Sequence, residues 1–284
     1  MYNIEMTHTT LNCRGKLLPL QEPVVMGILN ITPDSFYDGG RYNGVGAALA
    51  RAEEMMEAGA AIIDIGGMSS RPGAEIISPE VELRRVLPVV EGIVQRFPDA
   101  VLSIDTVHAQ TARACVEAGA AMINDISGGN MDDNMFQTVA TLGVPYVLMH
   151  MKGTPGNMQG QAVYDDVVTE VLDFFIERIG HLRSLGVKDI LLDPGFGFGK
   201  TTAHNYQLLN KLHVFQLTGC PVLAGISRKS MIWKTLKITP EEALNGTTAL
   251  HMVALQQGAS VLRAHDVKPA LETIRLWQAL RSAN

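Results

Sequence analysis

Short, almost wholly apolar runs alternate along the chain with longer segments whose apolar positions recur every three or four residues. The first kind predicts strands buried on both faces and the second amphipathic helices. The apolar runs fall at 24–29, 61–65, 101–104, 121–124, 145–149, 190–193, 221–226 and 260–264. The helical segments lie near 44–58, 78–97, 108–118, 131–142, 164–185, 203–213, 240–257 and 267–282. Three of them end in one signal: Glu57-Ala58-Gly59-Ala60, Glu117-Ala118-Gly119-Ala120 and Gln256-Gln257-Gly258-Ala259. A glycine there suits the left-handed residue that closes a helix before the next strand. Ahead of the first unit, residues 10–21 predict a small hairpin turning at Arg14-Gly15-Lys16. Eight strand–helix units point to an α/β protein: an eight-stranded parallel (β/α)8 barrel with a short N-terminal hairpin, one domain over 1–284. A doubly wound open sheet is the second reading, but it rarely needs eight regular units.

Composition narrows the setting. The 284 residues carry 23 Lys and Arg against 29 Asp and Glu, a net charge of -6, which argues against a nucleic-acid surface. Cys13, Cys115 and Cys220 have neither metal nor redox spacing, and an odd count fits no disulfide framework. The first residues lack a signal pattern and no apolar run reaches membrane-spanning length, so the expectation is a reducing cytoplasm and no membrane partner.

The chemistry gathers where the predicted strands end, the functional rim of a parallel barrel. Those positions hold Asn30, Asp64, Asp105, Asn124, Asp125, His150, Asp193, Ser227, Arg228, Lys229, Arg263 and His265. A single carboxylate at such a place is often only a turn former. Asp105, Asn124 and Asp193 on one rim with Lys229 and Arg263 need partners or a ligand, because buried charges are costly alone. Acceptors, donors and cations together suit a planar heterocycle with an anionic tail. Two loops add to this: 30–40, NITPDSFYDGG, with Phe36 and Asp38, and 66–79, which is long for a strand–helix connection and carries Arg71. Arg228 and Lys229 open a helical segment, where cations oppose the helix dipole. Lys229 therefore reads as functional, with Arg228 open to a structural ion pair. Two leads fail. Gly195 to Thr201, GFGFGKT, has the wrong spacing for a phosphate loop, and His150 and His265 lack a third ligand at metal spacing, so a hydrogen-bonding histidine is the better reading.

These motifs resemble the dihydropteroate synthases nearly end to end. The matching stretches are NITPDSFYDGG at 30–40, IDIGGMSSRPGA at 63–74, SIDT at 103–106, INDISGG at 123–129, LMHMKGTP at 148–155, LLDPGFGFGK at 191–200, GISRKS at 225–230 and LRAHDV at 262–267. The resemblance implies the barrel, a homodimer, and a magnesium-assisted joining of p-aminobenzoate to 6-hydroxymethyl-7,8-dihydropterin diphosphate with release of pyrophosphate. It places Asp105, Asn124, Asp193 and Lys229 in the pterin pocket, lined by Ile126, Met149 and Phe198. Arg263 would flank the pterin and reach the phosphates. Asn30, Arg71, Arg263 and His265 match the anion site, with Asn30 on the magnesium. Phe36, Ser70, Pro72, Lys229 and Ser230 match the aminobenzoate site, and Asp38 an acidic residue near the reacting carbon. The catalytic set this implies is Asp38, Arg71, Lys229, Arg263 and His265.

The chain departs from the pattern at Met68, where the family often has Glu, at Tyr37, where a smaller residue is common, and at Ile226. A pterin-binding methyltransferase domain would share the barrel and an Asp/Asn pocket, but would not need the Ser-Arg-Lys-Ser of 227–230 or the Arg71 loop. A paralogue that binds pterin without catalysis is a further reading, against which Asn30, Arg71, Lys229 and His265 speak.

Overall fold

A computed structural model describes residues 10–31, 41–69 and 73–283. The hairpin forms as the sequence predicts: β1 (Thr10–Cys13) and β2 (Lys16–Pro19) pair antiparallel, and Arg14 and Gly15 turn with positive φ. Then come β3 (Val24–Asn30), α1 (Arg41–Glu57), β4 (Ile62–Gly66), α2 (Pro79–Arg96), β5 (Leu102–Asp105), α3 (Ala109–Glu117), β6 (Met122–Asp125) and α4 (Met135–Leu142). The chain continues through β7 (Tyr146–Met149), α5 (Val167–Ser184), β8 (Ile190–Asp193), α6 (Thr202–Asn210), β9 (Leu223–Ala224), α7 (Ser230–Leu236), α8 (Leu244–Gln256), β10 (Val261–Ala264) and α9 (Val267–Ser282).

All eight strands after the hairpin pair in parallel, in the order β8-β7-β6-β5-β4-β3-β10-β9, and a bridge from Leu192 to Val222 joins the two ends. The result is a barrel, not an open sheet. Its interior is packed by Met26, Ile62, Met122, Val147, Leu191, Leu223 and Val261, and the hairpin's Leu11 and Cys13 join that same cluster at the N-terminal end. The opposite strand faces pack against the helices in a second, larger core. Both strand faces are therefore buried, which is why the runs read as continuous apolar segments. Gly59, Gly119 and Gly258 all take positive φ, as the repeated Gly-Ala signal predicts. Among the described residues no helix is long and apolar enough to cross a membrane.

Most predicted boundaries shift by a few residues, and three of the differences have a cause visible in the structure. The fourth helix starts at Met135, not near 131, because Asp132 is used in a turn: it accepts from Asn134 N at 3.0 Å and caps α3 through Ala109 N at 2.8 Å. The predicted strand 221–226 contracts to Leu223–Ala224, since the chain turns away at Gly225 and Arg228 takes a φ of 54°. The segment 240–257 starts as helix at Leu244, after a turn in which Thr239 N donates to Glu242 Oε2 at 2.9 Å.

Candidate active site

Parallel pairing brings the C-terminal ends of β3 to β10 to one rim, and the register sets Asp105 on β5 beside Asn124 on β6 and Met149 on β7 beside Asp193 on β8. At the centre lies Asp64 of β4, fully buried. Its Oδ2 accepts from Asn124 Nδ2 at 2.9 Å and from Arg263 Nε at 2.7 Å, and Arg263 reaches on to Asp105 Oδ2 at 2.7 Å. One guanidinium thus faces two carboxyl groups. Burial pushes the Asp105 carboxyl up to about 7, with Arg263 opposing and Asp64 adding to the rise. For Arg263 burial works against the charge, but Asp64 and Asp105 outweigh it and raise its pKa.

Asp193 and Lys229 form the other side. Asp193 Oδ1 accepts from Gly195 N at 2.8 Å; its Oδ2 and Lys229 Nζ both border Gly225, whose missing Cβ would lie 3.5 and 3.9 Å from them. Burial raises the Asp193 carboxyl, with Lys229 pulling the other way, and burial lowers the Lys229 amine to about 8, with Asp193 opposing. Lys229 N-caps α7, donates to the Phe196 carbonyl and sits 4.5 Å from the Phe198 ring centre. Arg228 is the structural partner: it grips Asp266 through Nε at 2.8 Å and Nη2 at 3.0 Å. Ile126 and Met149 are buried in one cluster with Val107, Met151 and Met158, against which Phe198 and Met68 pack. Met68, where a charge is common in the resembling family, serves here as apolar wall.

Asn30 is exposed at the end of β3, and Ser230 opens α7 half-buried. His265 follows β10, its N–H donating to Ser227 Oγ at 3.2 Å; burial, then Arg263, pushes its imidazole down to about 4, so it is a neutral donor in the free protein. Phe36, Asp38, Ser70, Arg71 and Pro72 lie outside the described residues, as does Tyr37. The structure thus brings together Asp105, Asn124, Ile126, Met149, Asp193, Phe198, Lys229 and Arg263. His150, as the sequence suggested, hydrogen-bonds: its Nδ1 is 2.9 Å from Lys200 Nζ.

Sequence reasoning put Asp64 on the rim but gave it no role in the site. The available signal was a carboxylate inside the otherwise apolar run of β4, which only a buried partner can justify.

A barrel rim that gathers carboxylates and an amide between Arg263 and Lys229 offers acceptors to the N–H groups of a flat heterocycle. Comparison with known proteins agrees. The model of the family described as pterin binding enzyme matches residues 26–265. The dihydropteroate synthase of Escherichia coli K12 is 47% identical over 272 residues, 95% of this chain and 96% of that protein. Among solved structures, the Yersinia pestis dihydropteroate synthase in a sulfonamide drug complex superposes with a TM-score of 0.90 at 46% identity, covering 96% of this chain and 99% of its own. The Xanthomonas albilineans dihydropteroate synthase with 4-aminobenzoic acid gives a TM-score of 0.90 at 46% identity, covering 97% and 99%. The chain belongs to the pterin-binding enzymes and, within them, to the dihydropteroate synthase family.

Proposed function

We propose that this chain condenses 6-hydroxymethyl-7,8-dihydropterin diphosphate with p-aminobenzoate, giving 7,8-dihydropteroate and pyrophosphate. The observation that carries the reading is the buried Asp64–Arg263–Asp105 group beside Asn124, facing Asp193 and Lys229 across the rim. Carboxylate and amide oxygens would accept from the aminopyrimidinone N–H groups, and the Lys229 ammonium would donate to its oxygen. The aminobenzoate has its counterpart in the 4-aminobenzoic acid of the Xanthomonas relative.

In the reaction the aryl amine attacks the pterin methylene as a neutral base. The carbon–nitrogen bond forms, the carbon–oxygen bond breaks with its electron pair leaving on pyrophosphate, and the anilinium gives up a proton. The protein's task is electrostatic. The carboxylates of the rim would steady positive charge on the pterin as the bond breaks. Arg263, His265 as an N–H donor and, by resemblance, Arg71 meet the departing anion; Asp38 is assigned to the reacting carbon on the same basis.

Magnesium fits this donor set. Among the described residues no three His, Cys, Asp or Glu side chains converge on a metal position. Magnesium binds through one or two protein oxygens, waters and substrate phosphates, and the exposed Asn30 amide at the rim supplies such an oxygen. Bound there, it would neutralise charge on the diphosphate.

Purified protein given both substrates and magnesium should release pyrophosphate, and omission of either substrate should abolish it. Release independent of p-aminobenzoate would contradict the synthase reading and favour a hydrolase. A homodimer is part of the proposal; exposed Leu276 and Leu280 on α9 leave apolar surface for a second copy. Sedimentation should give twice the 30.8 kDa chain mass, and a single-chain mass at working concentration would contradict it.

A further inference from the structure

The GFGFGK stretch that mimics a phosphate loop ends in a lysine turned into the protein. Lys200 is 3% exposed. Its Nζ lies 2.9 Å from His150 Nδ1, 3.1 Å from the His150 carbonyl and 3.0 Å from the Phe198 carbonyl. An ammonium has three N–H groups, and here three acceptors receive them. The carbonyls take one each whatever the charge on the amine. His150 Nδ1 takes the third when the amine is protonated and donates its own proton when it is not.

The contacts join two chain segments that both wall the site. His150 separates Met149 from Met151, and its N–H donates to the Asp193 carbonyl at 3.0 Å. The segment 194–199 folds directly on it: a Cβ on Gly195 would come within 2.0 Å of the His150 carbonyl, and one on Gly199 within 2.6 Å of the Lys152 carbonyl. That segment supplies Gly195 N to Asp193, the Phe196 carbonyl to Lys229 and the Phe198 ring beneath Lys229. The glycines let the backbone come this close, and Lys200 supplies a tie between the two segments.

We infer that Lys200, through its three contacts to His150 and Phe198, is a positioning residue that holds the 194–199 segment as a preformed wall of the pterin site. The inference rests on the pterin reading above. It assigns Lys200 no contact with substrate: the residue acts through Asp193, Phe198 and Lys229.

The test compares wild type with Lys200→Met, which keeps the stem and removes every N–H, and with His150→Ala and His150→Asn, the latter keeping an acceptor near the Nδ1 position. Two quantities are read: amide hydrogen exchange of peptides covering 194–200, and calorimetric affinity for the pterin diphosphate against that for p-aminobenzoate with magnesium and pyrophosphate. Lys200→Met should speed exchange at 194–200 by about tenfold or more while β4 and β5 keep their protection, and weaken pterin by about tenfold. Affinity for p-aminobenzoate, whose site shares only Lys229 with this wall, should fall less than that for the pterin diphosphate. His150→Ala should fall between, and His150→Asn should restore most of the loss. Should Lys200→Met fail to fold, the His150 pair decides by the same readings. Unchanged exchange at 194–200 overturns the inference, as does equal loss of both ligands with a general loss of protection. Wild type that binds no pterin would instead refute the proposed function, while the exchange arm still judges the tie made by Lys200.

Discussion

At the scale of single residues, the site depends on side chains whose ordinary ionisation is displaced. On the proposed reading Lys229 gives a pterin oxygen a charge-assisted donor only while protonated, and burial brings its amine down to about 8. The donor is fully present below that value and is lost as pH rises through it. Pterin affinity should therefore fall above about pH 8, by up to about tenfold per pH unit if the charged donor is required. Calorimetry between pH 7 and 9.5 checks this, and Lys229→Met should bind weakly with no such slope; a slope unchanged in that variant would place the titration elsewhere. Lys229 was legible in the sequence because a cation at a helix start has no local reason to be there. The inward turn of Lys200 was not, because the sequence does not show which way a side chain at the end of a glycine-rich loop points.

Among the elements, Asp64 links four strands: it sits on β4, holds Asn124 of β6, and holds Arg263 of β10, which in turn reaches Asp105 of β5. Removing it leaves a mostly buried guanidinium with one partner in place of two. Asp64→Ala should cost about 3–5 kcal/mol of stability, the range for breaking a buried pair. Urea unfolding measures it, and a loss below about 1 kcal/mol would mean that Arg263 finds other partners. The partners of Asp64 lie 60 and 199 residues away in the chain, so strand pattern alone could not pair them. Periodicity found the strands and helices because both strand faces are covered. It missed the ends of elements fixed by single hydrogen bonds, as at Asp132 and Thr239.

At the scale of the whole molecule, counting units sufficed to predict the closed barrel, and closure is what puts eight strand ends on one rim. Asp105 and Asp193 end their strands and Asn124 lies one residue from the end of its own, so the barrel brings all three to that rim. The claim on which the rest depends is that this rim of carboxylates reads a pterin. Titrating the pterin diphosphate calorimetrically into wild type and Asp193→Asn tests it most directly, because the substitution keeps the shape and replaces a charged acceptor with a group that also donates. A hydrogen bond to a charged group contributes about 1.5–3 kcal/mol, so Asp193→Asn should bind at least about tenfold more weakly, with its folding intact. Binding within about twofold of wild type would contradict the account.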